Sequence, residues 1–385
     1  MQYRQHKSLE VSEIGVGCYA LSGAYGSVNI DHFESMVRHA HEIGINFFDT
    51  AEGYGDAERI LGRVVKPFRE EILIATKVGI RQGTKPNLSK NYIYEACIRS
   101  LRQLDTDYID LYQVHFDDPQ TPVSETLEAL DSLVSEGKIH AYGVGHLPIE
   151  RVKEYCELGS PFSILMELSA VSRKSREELL PFCKIHDVAG IGFSATGRGI
   201  LTGKYGRDTK FESDDIRNLD PLFQHARFES ALHIRDQFAI LAKDYGVTPV
   251  QMAIAWVLTQ PNIVCALTGS SKIVHLEENA GASGLTIKRQ DLEMLEGFFA
   301  KEDTLLAEKN LQVIHSILTT PLSSNPIRVF NDLIYVLETG MDMNLLSEES
   351  MHSVFTDLWS LRKKLDESCL SKLANIQERV KYLFQ

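Results

Sequence analysis

Residues 45–77 read INFFDTAEGYGDAERILGRVVKPFREEILIATK, and this stretch decides the architecture. INFFDT (45–50) and EILIATK (71–77) are short apolar runs with polar boundaries. Runs of this length and composition suit buried strands. Six further runs share the character: SEIGVGC (12–18), YIDLYQVH (108–115), IHAYGVG (139–145), FSILMEL (162–168), AGIGFSA (189–195) and IVCALTG (263–269). Amphipathic patterns of helical period lie between them. DHFESMVRHAHEIG carries Phe33, Met36, Val37 and Ala40 at i, i+3, i+4 and i+7, with Asp31 placed to cap it. SKNYIYEACIRSLRQL and PVSETLEALDSLVSEGK repeat that pattern. Eight strands, each followed by a helix, predict an α/β protein built as a (β/α)8 TIM barrel. An open doubly wound sheet is disfavoured, because no GxGxxG turn follows the first strand.

The connection over residues 196–228, after the seventh strand, is long and rich in glycine and charge. Loops after barrel strands form the active-site face, so a functional segment is expected there. Beyond residue 300 the strand pattern stops. Residues 301–385 read as three or four helices separated by turn signals at PLSSNP and TGMDMN. The expected organisation is a barrel over 1–300 and an all-helical C-terminal appendage over 301–385. The appendage has apolar positions at helical spacing: Leu311, Ile314, His315 and Leu318; Val329, Leu333, Val336 and Leu337; Leu358, Leu361 and Leu365. Such faces must be buried. A small bundle that packs on the barrel and mediates homo-oligomer or protein-partner contact is the expectation.

Composition narrows the function. Apolar residues make up 43% and charged residues 24%, and the formal net charge is -13. A nucleic-acid binder would be basic, so none is expected as a partner. The six cysteines form no CxxC pair and no zinc spacing, so no metal is expected. The start, MQYRQHKSLEVSEIG, lacks an apolar signal region, and no apolar run of about 18 residues appears. A cytoplasmic protein with no membrane partner is expected.

Four polar residues fall at or just beyond consecutive strand ends: Asp49 and Tyr54 after the second, Lys77 at the third, His115 at the fourth. Barrel geometry brings them to one rim. A phenol alone is a poor acid, with a pKa near 10. An adjacent ammonium favours the phenolate, and an aspartate would hold that ammonium charged and aimed. A histidine beside the phenol could orient a carbonyl oxygen and assist proton transfer. Singly, each has an ordinary alternative: helix cap, rim aromatic or strand-end polar group. Four together favour protonation of an oxygen as hydride reaches carbon.

INFFDTAEGYGDAERILGRVV, ILIATKVG, SLRQLDTDYIDLYQVHFDDPQTPVSETLEAL and GRGILTGKY together resemble the aldo-keto reductase superfamily, in its bacterial-type branch that also resembles potassium-channel β subunits. The resemblance spans Tyr3 to about Phe299. It implies Tyr54 as proton donor, Lys77 and Asp49 as its tuners, and His115 as substrate orienter. It also implies a dinucleotide held without a Rossmann fold. GRGILTGK, with Gly199, Leu201 and Lys204, corresponds to the segment that closes over the pyrophosphate. Glycines permit close backbone approach there, and backbone N–H groups solvate phosphate. TGSSKIVHLEENAGA resembles the adenosine-phosphate segment. Gly269, Ser270, Ser271 and Lys272 would meet a 2′-phosphate at a helix start, and Glu278 and Asn279 would face the adenine. Lys272 favours NADP(H), with NAD(H) as the alternative.

Three positions depart from the family pattern around the nicotinamide. Ser-Asn after the fifth strand is Gly145-His146 here, the sixth-strand Gln is Leu165, and the stacking tyrosine is Phe193, followed by Ser194. The first two changes remove hydrogen-bonding groups worth about 0.5–1.5 kcal/mol each. Tyr19, Leu21, Tyr25 and Phe116 would wall the substrate pocket. The leading expectation is an NADP(H)-dependent reductase of an aldehyde, ketone or keto-sugar. The alternatives are a redox-neutral epimerase or lyase that retains its nicotinamide, and a redox-sensing regulatory subunit.

Overall fold

The structure is a computed structural model that describes residues 1–24, 28–81, 84–211, 215–270, 272–320, 323–365, 369–370, 372–373 and 376. The chain forms two compact units. One comprises Met1–Lys204 and Phe238–Ile287, the other Tyr205–Gln237 and Lys288–Gln385.

The first unit opens with an antiparallel hairpin, β1 (Tyr3–His6) and β2 (Leu9–Ser12). The barrel follows: β3 (Ile14–Gly17), β4 (Phe47–Asp49), β5 (Leu73–Val78), β6 (Ile109–Val114), β7 (Ile139–Gly145), β8 (Ser163–Glu167), β9 (Ala189–Phe193) and β10 (Ile263–Thr268). Each strand pairs in parallel with the next, and β10 pairs with β3 to close the barrel. All eight expected strands form. The hairpin was not legible as such: Ser12 and Glu13, expected in the first barrel strand, precede it.

The inner faces of the strands supply Phe47, Ala75, Leu111, Leu165, Ala189, Ile191, Cys265 and Leu267 to one apolar cluster, and Leu9 and Val11 of the hairpin join it. Leu9 and Val11 share that cluster with Phe162, the residue just before β8, and His6 meets the Phe162 ring edge-on at 5.2 Å. The hairpin therefore plugs the barrel at the N-terminal ends of its strands and leaves the C-terminal ends for chemistry. Each large apolar side chain buried here contributes about 1.5–3 kcal/mol.

Helices cover the outside. Phe33, Met36, Val37 and Ala40 are the buried row of helix Ile30–Glu42, as their spacing predicts. The cap differs: Asn29, not Asp31, accepts the N–H of His32, because the helix begins two residues earlier than a cap at Asp31 implies. Asp31 sits in the first turn, where a carboxylate favours the positive helix end.

The second unit is helical. Helix Arg289–Thr319 runs through position 300 without interruption, followed by Pro326–Asp342 and Glu348–Ser360. Val329, Leu333, Val336, Leu337 and Leu358 join Phe330, Ile334, Met351 and Val354 in its core, with Leu361 and Leu365 packed at the edge. One expectation fails here. Leu311 and Leu318 are 49% and 46% exposed and His315 is exposed, while Glu302, Asn310 and Ile314 are buried. The buried row is offset around the helix and includes polar groups with partners: Asn310 meets the Tyr335 hydroxyl and Glu302 meets His233 at 3.2 Å. The turn signal at TGMDMN (339–344) does mark a helix end. The helix continues through Gly340, against which Leu346 packs, and ends at Asp342.

Candidate active site

The C-terminal rim of β4, β5 and β6 brings the four expected residues together. Asp49 ends β4, Lys77 lies near the end of β5, and His115 follows β6, where its N–H donates to Val78 O at 2.9 Å. Lys77 is 1% exposed and its Nζ donates to Asp49 Oδ1 at 2.5 Å and to Thr50 O at 2.8 Å. A buried ammonium needs such partners. The ammonium also lies 5.1 Å from the centroid of the Tyr54 ring. The Tyr54 ring meets His115 edge-on at 5.7 Å.

Two residues not foreseen complete this arrangement. Gln113 donates to Asp49 Oδ2 at 3.3 Å and accepts from Ser163 Oγ at 3.4 Å, a buried polar chain across the barrel interior. Its signal was period-two alternation: Leu111, Gln113 and His115 share one strand face. Glu52 accepts from Gly79 N and Tyr92 Oη, both at 3.0 Å, and clamps the Tyr54 loop onto the end of β5.

Charge at the site follows from burial. Burial raises the Asp49 carboxyl above its ordinary range, opposed by Lys77 and Gln113. Burial, then Lys77 and His146, hold His115 well below the usual imidazole value, and its Nδ1 has no hydrogen-bond partner. His146 is pushed down to about 4 by burial, then by Lys77 and Arg198. Both imidazoles are neutral near pH 7. Burial raises the Tyr19 phenol, opposed by Arg198.

The rings form a continuous series around the rim. Tyr19 meets Tyr54 at 5.1 Å, His115 meets Phe116 at 4.5 Å, Phe116 stacks on His146 at 5.1 Å, and His146 meets Phe193 at 4.9 Å. Tyr19 and His146 are solvent-exposed on this rim. Leu21 lies on the same 3-10 turn as Tyr19, half-buried. Tyr25 and Ser271 lie outside the described residues.

The expected cofactor residues fall on the same rim. Gly145 pairs with Leu165 across β7 and β8, and a Cβ at Gly145 would stand 3.1 Å from that of Leu165. A serine fits there only if its neighbours give way. Leu165 is buried in the barrel's apolar interior and offers no polar group. His146, Ser194 and Arg198 all hold left-handed backbone, at φ +50°, +55° and +53°. Non-glycine residues adopt it at a cost of about 1–2 kcal/mol. Arg198 forms a two-pronged ion pair with Glu167, at 2.9 and 3.0 Å.

From Gly197 to Gly203 the chain turns repeatedly through the left-handed region, at φ +59°, +53°, +94° and +80° for residues 197, 198, 199 and 203. Such turns can aim successive N–H groups at an anion. Leu201 is buried beneath and Lys204 is exposed. Space beside Gly203 and Gly269 is open to 4 Å. Lys272 is exposed and caps helix Ile273–Ala280, and the Ser270 hydroxyl donates to Lys272 O at 2.7 Å. Asn279 is buried, and Glu278 is half-buried with its carbonyl accepting from Gln251 at 3.0 Å. These features fit a dinucleotide: open glycines, left-handed turns and two exposed lysines for phosphates.

Among the described residues, no group of three or more His, Cys, Asp or Glu is placed to hold a metal, and no helix is long and apolar enough to cross a membrane.

Comparison with known proteins gives the family and the fold. The aldo/keto reductase family model matches residues 13–299. The aldo-keto reductase YhdN of Bacillus subtilis is 34% identical over 292 residues, covering 74% of this chain and 88% of that one. The glycerol dehydrogenase of Gluconobacter oxydans superposes with a TM-score of 0.72 at 27% identity, over 84% of this chain and 98% of that one. An aldo/keto reductase of Klebsiella pneumoniae, solved with NADP and acetate, superposes with a TM-score of 0.61 at 25% identity, over 76% and 93%.

Proposed function

Because the chain belongs to the aldo/keto reductase family, we propose that it is an NADP(H)-dependent oxidoreductase that reduces a small carbonyl compound, with Tyr54 as proton donor. The observation that carries this is the Lys77–Asp49 pair set beneath the Tyr54 ring, with neutral His115 beside it. A bound nicotinamide supplies the hydride. Tyr54 gives its proton to the carbonyl oxygen, and the Lys77 ammonium favours the phenolate left behind. Asp49, anchored by Gln113, keeps Lys77 charged and in place. His115, uncharged, orients the carbonyl oxygen by hydrogen bonding. The 197–204 segment and Lys272 take the phosphates, and the second lysine favours NADP(H) over NAD(H). The relative solved with NADP lends support to that preference.

Tyr54→Phe tests this. The ring and its contacts persist while the transferable proton is gone. Turnover of an aldehyde panel with NADPH should fall about 10²–10⁴-fold, with NADPH affinity nearly unchanged. Unchanged turnover would remove Tyr54 from the mechanism.

A further inference from the structure

His146 directly follows β7 on left-handed backbone, at φ +50°. Residues strained in this way gather at ligand sites. Three rings stand against it: Phe116 nearly parallel at 20°, Phe193 at 47° and His115 at 53°. The near-parallel Phe116 ring covers one face of the imidazole, while the residue itself is exposed. A neutral imidazole carries one donor and one acceptor, so it can meet either a hydroxyl or a carbonyl. Its centroid lies 5.6 Å from that of His115. With hydrogen bonds of about 2.9 Å from each ring, two imidazoles at this spacing reach two oxygens on neighbouring carbons. Gly145 and Leu165, beside it, offer no competing polar side chain.

We propose that His146 is a specificity-determining residue that hydrogen-bonds the oxygen adjacent to the reacting carbonyl. The site then prefers carbonyl compounds with a hydroxyl or second carbonyl on the neighbouring carbon. This rests on the carbonyl-reduction reading, with Tyr54 and His115 serving the reacting oxygen and His146 its neighbour.

The test compares matched pairs, propanal with 2-hydroxypropanal and 2-butanone with 3-hydroxy-2-butanone, as kcat/KM with NADPH. His146→Phe keeps the ring stack and removes both nitrogens. The preference for the oxygenated member should shrink about 2–10-fold, the range for one lost hydrogen bond. It should shrink through KM, and NADPH affinity from fluorescence titration should change less than about twofold, within the smallest effect of a lost hydrogen bond. His146→Asn, which restores a donor and an acceptor, should recover part of the preference and guards against a folding defect in the first variant. Comparing each pair within one variant cancels the intrinsic reactivity of the substrates. Equal loss for both members of each pair would overturn the proposal, as would a loss of NADPH affinity that matches the loss in kcat/KM, since His146 would then serve the nicotinamide. Failure of the unaltered protein to reduce any of the four with NADPH or NADH would overturn the carbonyl-reduction reading together with the proposal.

Discussion

Lys77→Met probes the buried pair on which the proposed chemistry depends. Methionine nearly matches lysine in length and leaves the packing of β5 little changed, so the variant removes charge more than volume. What remains is Asp49, 5% exposed, with the single Gln113 contact at 3.3 Å, and a Thr50 carbonyl that has lost its 2.8 Å donor. Breaking a buried ion pair from one side costs about 3–5 kcal/mol. The deficit depends on pH in a calculable sense. An unpartnered buried carboxyl has a native pKa above its unfolded value, so the native state favours the protonated form. Stability present below the unfolded pKa is lost as pH rises through the native one. The deficit relative to the unaltered protein should therefore be smaller at pH 5 than at pH 8. Urea denaturation can read it in the barrel alone. Of the two tryptophans, Trp256 is fully buried in the barrel unit and Trp359 lies in the helical unit, so a Trp359→Phe background leaves one reporter. Adding Asp49→Asn to Lys77→Met removes the stranded charge and should recover most of the loss at pH 8. A deficit below about 1 kcal/mol at pH 8, less than a buried pair should cost, or one that does not vary with pH, would refute the reasoning.

Lys272→Ala should weaken NADPH about 10–100-fold and NADH hardly at all, the loss of one charge-assisted contact; equal weakening by calorimetry would show that Lys272 does not discriminate. Phe330→Ala, at the centre of the helical unit's core, should cost that unit about 3–5 kcal/mol and shift the Trp359 transition while leaving that of Trp256 in place; coincident shifts would show that the units unfold as one. Proton NMR should find His146 titrating near 4 and His115 below the usual 6.5. Depressed native values mean that stability held above pH 6.5 is lost as pH falls toward 4, and His146→Phe should flatten that decline. A His146 midpoint near 6.5 would contradict its placement.

Much of the site was legible because barrel geometry converts strand order into proximity. Asp49, Lys77 and His115 sit at the ends of three consecutive strands, and Tyr54 on the loop between the first two of these, so knowing the strands was nearly enough to know the cluster. Gln113 was within reach of the same reasoning, through alternation along β6. Glu52 was not, since its partners Gly79 and Tyr92 come from the next strand's end and a helix further on.

The helical unit was read less well. Leu311 and Leu318 obey the helical period, yet the buried row of their helix runs through Glu302, Asn310 and Ile314. Periodicity identifies a helix with an apolar stripe. It does not say which side meets a neighbour when buried polar residues have partners on other elements. Boundaries show the same limit: segments 205–237 and 288–385 form one unit although fifty residues separate them, and helix Arg289–Thr319 crosses position 300 unbroken.

The local pattern of apolar runs, amphipathic stretches and strand-end polar residues determined by itself that this chain folds as a barrel and brings Asp49, Tyr54, Lys77 and His115 to one rim, because strand and helix periods and parallel connectivity are local properties. Tertiary structure alone decided that Gly145 and Leu165 fill each other's space, that His146 turns onto Phe116 beside His115, and that Asn310 is buried against Tyr335. Those facts depend on distances between residues far apart in the chain, which no local pattern encodes.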